Sequence, residues 1–210
     1  MQKQLLKKCA DSLRAFSHIK LKASHAHELV AAVFGYKSKN AMLADTKYPI
    51  SNIYKAEIIV MVPDDAIDQR RKKLQGLQEE LPDSYTLVET VYSSLVSDKS
   101  WQSPYPRFSS FEKAATYIVE NTDQTIRNFF SNGDHPFQLI VDVNINDESV
   151  LLTVYHSYRK SSGEMECSGI TTINLPRIAG YIGYDKPEMT VEKWTAGARR
   201  TLESLGVHHE

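Results

Sequence analysis

Cysteine is scarce: the 210 residues hold two, Cys9 and Cys167, far apart in the chain. Two distant thiols exclude a disulfide-stapled scaffold, and the lack of any Cys-x-x-Cys pair removes the zinc ribbon and the thioredoxin-type redox centre. Both are expected as buried thiols. Nine glycines and eight prolines are too few for a collagen-like or low-complexity chain, and no internal repeat is visible. No apolar run reaches the roughly 20 residues of a membrane span. The N-terminus, MQKQLLKK, carries lysines without the apolar stretch of a signal peptide, so a cytoplasmic location is expected. Also missing are G-x-S-x-G, a phosphate-binding glycine loop and a dinucleotide fingerprint, so no cofactor is expected.

What is present is a core-forming composition, 41% hydrophobic and 24% charged with a net charge of −1, and an uneven distribution of that charge. Residues 1–48 hold nine lysines and arginines against three acids, a balance of +6 that leaves −7 for the remainder. Clustered lysines attract phosphates irrespective of sequence and attract acidic protein surfaces by the same Coulombic term.

The basic segment has a helical pattern. Leu5, Leu6, Cys9, Leu13 and Phe16 form one stripe over residues 2–16. Ser24 is placed to cap a second helix over 25–34, with Ala26, Leu29, Val30, Val33 and Phe34 on one face. Gly35 closes it, Ser38 starts a third helix through Ala41, Met42, Leu43 and Ala44, and Pro49 keeps that helix short. The pattern predicts a three-helix unit over 1–50, with Ser51 to Lys55 as the linker to a domain over 56–210.

The run SHAHELVAAVFGYKSKNAMLAD resembles the small helical segment called glyoxalase-related in bacterial proteins, many of them carried by mobile elements. The resemblance covers about residues 18–48. It implies a bacterial setting and a helical module, and it carries no catalytic residue. Independently of that resemblance, Ala31, Gly35 and Ala41 sit at the spacing of a helix-turn-helix. Its reading helix is mostly apolar, which leaves Lys37, Lys39 and Asn40 as the side chains to meet a DNA groove.

Beyond Pro49, EIIVMV over 57–62 reads as a strand, and Pro63 opens a helix with Ile67, Leu74, Leu77 and Leu81 on one stripe. The basic run 69–73 inside it reads as a solvated face. Residues 85–96 have strand composition. The loop SDKSWQSPYPRF follows, where Trp101, Tyr105 and Arg107 are candidates to stack on bases or clamp a peptide. A helix from Ser109 or Ser110 to about Ser131 is expected next. Strands over 137–145 and 150–158 and a third ending near Leu175 then form an antiparallel meander, and a helix over 190–205 closes the domain.

The expected class is therefore α+β: a three-helix unit, then a mixed or antiparallel sheet packed by helices. A strand over 85–96, a helix and three strands would match the βαβββ order of glyoxalase-type metal enzymes. The strand residues offer only His156 and Glu166 as ligands, and His25 and His27, two apart on a helix, point to different faces. No catalytic or metal residue is assigned. The sequence points to a non-catalytic binding or accessory protein docking an unidentified protein through its basic helices. A DNA-binding regulator using Lys37, Lys39 and Asn40 is the alternative, and a metal-dependent enzyme the third reading.

Overall fold

The computed structural model describes residues 1–16, 21–61, 65–77, 81–96, 107–121, 136–159 and 165–193. It is an α+β structure whose chain divides into two compact units. The first comprises Met1–Ser110 and Pro176–Lys186, the second Phe111–Leu175 and Pro187–Glu210. The expected boundary near residue 50 is not where the chain divides.

The first unit begins with α1 (Gln2–Phe16), α2 (Ala23–Val33) and α3 (Lys39–Ala44), close to the predicted spans. Lys22, not Ser24, occupies the N-cap of α2, and no side chain caps that end. At the other end Gly35, with φ of +82°, closes a Schellman motif: its N–H donates to Ala32 O, and that of Tyr36 to Ala31 O. Ser38 then caps α3 as expected, accepting from the N–H of Ala41 at 3.1 Å.

The expected linker is instead a 3₁₀ helix, Ile50–Lys55, whose Ile50 and Ile53 are buried. This segment joins the core. One continuous set of buried residues runs from Leu5, Leu13, Leu29 and Phe34 through Ile50 and Ile53 to Ile59, Ile67, Leu87, Leu95, Ala179 and Ile182. The reason is area: about 50 residues enclose too little apolar surface to be stable alone, so the three helices complete their core with later segments.

β1 (Ile58–Val60) and α4 (Asp65–Lys73) follow the predicted order. The basic run in α4 is less solvated than its sequence suggests. Arg70 forms an ion pair with Glu28 of α2, and Arg71 donates to the carbonyls of Pro82 and Leu81 at 2.8 and 3.1 Å. Lys72 and Lys73 remain exposed.

The strand expected over 85–96 is a helix, α5 (Ser84–Val96). Its threonine, tyrosine and valine content suggested β structure, yet Leu87, Val88, Val91 and Leu95 recur at helical spacing and are all buried. Asp83 is its N-cap, accepting from Thr86 N–H at 2.7 Å. β2 (Arg107–Phe108) then pairs parallel to β1. β6 (Gly183–Tyr184) pairs antiparallel to β1 and to the end of β5 (Met165–Ala179).

The second unit contains α6 (Phe111–Asn121) and the predicted meander: β3 (Pro136–Ile145), β4 (Ser149–Arg159) and β5 as far as Leu175. The remainder of the long helix expected after Asn121 lies outside the described residues. β3 and β4 are antiparallel, from Pro136 opposite Tyr158 to Ile145 opposite Val150. Asn146 makes the turn, its Oδ1 accepting from the N–H groups of Glu148 and Ser149 at 2.8 Å. Phe111, Ala114, Ala115, Ile118 and Val119 are the buried face of α6, which packs on β3 and β4. Residues 190–193, expected to begin a helix, belong instead to strand β7 (Glu188–Lys193), antiparallel to β5. The rest of that expected helix lies outside the described residues.

Candidate functional site

A dense polar cluster gathers at the corner after α3 and the turn between β5 and β6, all within the first unit. Asp45, at the C-cap of α3, is its centre. Oδ1 accepts from the N–H groups of Lys47 and Tyr48 at 3.1 and 2.9 Å. Oδ2 accepts from the Tyr36 hydroxyl at 2.7 Å and from Nη2 of Arg177 at 3.0 Å. The Arg177 side chain is 4% exposed; its Nε donates to Gly180 O. Its guanidinium lies over the rings of Tyr181 and Tyr48, at 3.6 and 4.4 Å from their centroids.

Backbone closes the same corner. Gly180 N–H donates to Tyr48 O at 2.9 Å and Tyr181 N–H to Phe34 O at 3.0 Å. Gly180 has φ of +53°, and a Cβ there would stand 3.1 Å from Phe34 O. At Gly35 a Cβ would stand 2.5 Å from Cβ of Tyr181, so this glycine is required by approach as well as by conformation. The Tyr36 and Tyr181 rings meet edge to face, 5.4 Å between centroids.

The electrostatics are those of a lock. Burial would raise the Asp45 carboxyl, but the Tyr48 N–H, the Tyr36 hydroxyl and the Arg177 guanidinium outweigh it and hold the pKa below its ordinary value. Burial, then the hydrogen bond to Asp45, pushes the Tyr36 phenol far up. Four donors on one carboxylate stabilise its charged form, so the cluster ties the end of α3 to the turn between β5 and β6. The composition of 36–48 gave no hint of it, because its cationic partner lies 132 residues away.

The residues singled out from the sequence scatter. Lys37 and Asn40 are exposed at the α2–α3 corner, and Lys39 is half-buried with its backbone N–H donating to Glu28 Oε2 at 3.1 Å. Helix α3 has six residues, and Met42 points into the core. Arg107 is engaged within the first unit, paired with Glu89 and lying 4.4 Å from the ring centroid of Tyr92. Trp101 and Tyr105 lie outside the described residues. The βαβββ order is absent in the form expected, since its first strand is α5. His156 is buried in β4, its Nε2 2.7 Å from Thr171 Oγ1, and burial lowers its pKa to about 4. Among the described residues, no three histidine, cysteine, aspartate or glutamate side chains come together as a metal site, and no helix is long and apolar enough to cross a membrane.

No protein-family model, curated protein or solved structure matches the chain.

Proposed function

We propose that this is a non-catalytic binding or accessory protein that docks an acidic protein partner through the basic surface of its N-terminal helices. One observation carries the reading: Leu5, Leu6, Cys9 and Leu13 of α1 and Ala26, Leu29, Val30 and Val33 of α2 are committed to the core, although Phe16, expected on the same stripe, is 46% exposed, and Lys3, Lys7, Lys22 and Lys37 are exposed. A surface of one sign accelerates encounter with a partner of the other and rejects like-charged competitors. The Asp45–Arg177 lock serves this role indirectly by holding the α2–α3 corner, and so Lys37 and Asn40, at a fixed place in the unit.

A six-residue α3 with Met42 buried presents little to a DNA groove, which favours a protein partner over the DNA-regulator reading. The bacterial, mobile-element setting rests on the resemblance of residues 18–48 alone. The test is capture from a bacterial lysate on the immobilised chain, with and without nuclease, over a salt series. Retention of a discrete protein that survives nuclease and is lost on Lys3→Glu, Lys7→Glu and Lys37→Glu supports the proposal. Retention that vanishes with nuclease overturns it in favour of DNA.

A further inference from the structure

We infer that β3 is a self-association edge, on which a second copy of this chain pairs antiparallel through its own β3. Among the described strands of the second unit the order is β3-β4-β5-β7, so β3 and β7 are its two edges. They differ in how they are protected. β7, EMTVEK, carries three charges in six residues, the usual guard against edge pairing. β3, PFQLIVDVNI, is ten residues long and carries one, Asp142, and its proline and register shift are confined to the Pro136–Gln138 end, leaving Leu139–Ile145 regular.

The ladder with β4 settles which groups point outward. Asn146 N–H donates to Ser149 O, and the register continues with Asn144 opposite Leu151, Asp142 opposite Thr153 and Ile140 opposite Tyr155. Alternation in an antiparallel pair makes these even-numbered residues the ones that exchange hydrogen bonds with β4. The N–H and C=O groups of Leu139, Val141 and Val143 are therefore directed away from β4.

The same odd-numbered residues carry the apolar face past the core. Val141, Val143 and Ile145 stand opposite Val154, Leu152 and Val150 of β4, all three of which are buried. On β3 that row is only partly covered: Val141 and Val143 are half-buried, and Ile145 is 58% exposed. A strand that continues the row must bring an apolar residue at every second position, which β3 itself does. With the two-fold axis at Ile140, Leu139 of one copy stands opposite Val141 of the other. The two Asp142 carboxylates are then not placed opposite one another. This pairing is isologous and consumes the edge on both copies, giving a closed dimer rather than a fibre.

Sedimentation of the full chain over a concentration series tests the inference, with amide exchange measured in parallel. The wild type is expected to pass from monomer to dimer. As it does so, the amides of Leu139, Val141 and Val143 should exchange more slowly while that of Asn144 stays unchanged. Val141→Pro removes an outward N–H without touching the ladder to β4, and Val143→Lys places a charge on the edge; each should weaken association by about tenfold or more. A wild type that stays monomeric, a dimer whose outward amides exchange independently of concentration, or a dimer unaffected by both folded variants overturns it. The exchange arm needs no variant, so a poorly folded mutant does not blunt the test.

Discussion

Replacing Asp45 by alanine is expected to cost about 3–5 kcal/mol of stability in the first unit, the usual penalty for removing one partner of a buried ion pair. The magnitude follows from what is left behind. Arg177, 4% exposed, keeps its charge between two tyrosine rings without its carboxylate, while its Nε still donates to Gly180 O. The Tyr36 hydroxyl retains a 3.2 Å contact to Tyr48 O, while the N–H groups of Lys47 and Tyr48 lose their acceptor. At about 2–4 °C per kcal/mol for a chain of this size, the melting temperature should fall by about 6–20 °C. Arg177→Met removes the stranded charge. In the Asp45→Ala background it should therefore cost less than in the wild type, a coupling of about 1–3 kcal/mol in a double-mutant cycle. Thermal and urea denaturation followed by circular dichroism measure both quantities. Asp45→Ala within about 1 kcal/mol of wild type, or strictly additive single variants, would refute the claim that this cluster holds the α2–α3 corner to the β5–β6 turn.

Gly35→Ala should destabilise by about 2–4 kcal/mol, because it meets both a positive φ and a Cβ at 2.5 Å. Gly76→Ala, with φ of +68° and nothing within 4 Å, should cost only about 1 kcal/mol in the same denaturation assay. His156 has a folded pKa of about 4 against 6.5 for the free side chain. The unfolded chain therefore binds its proton first, and stability is full above pH 6.5 and declines as pH falls toward 4. The loss should reach about 3 kcal/mol, measured as urea midpoints across that window, and a His156→Gln variant should flatten it.

How much of this was legible in the sequence depends on the range of the cause. The three N-terminal helices, Gly35 and the Ser38 cap were readable because periodicity and capping act within a few residues. The β3–β4 hairpin was readable for the same reason, with Asn146 marking its turn. Helix α5 was misread because β-branched and aromatic residues weigh toward strand until the burial of Leu87, Val88, Val91 and Leu95 settles the period. The Asp45–Arg177 pair, the burial of the 3₁₀ helix and the shared core are long-range facts that no local pattern encodes. For the candidate surface, the charge count was visible, but the sequence could not say that Arg70, Arg71 and Arg107 are engaged within the unit.

The basic helices share one core with later segments instead of forming a detachable bundle. Circular dichroism of the isolated fragment 1–50 tests this most directly. Little helix and no cooperative melt are expected, because the fragment lacks the core residues supplied by β1, α5 and the β5–β6 turn. A fragment that is strongly helical and melts cooperatively would contradict the shared core.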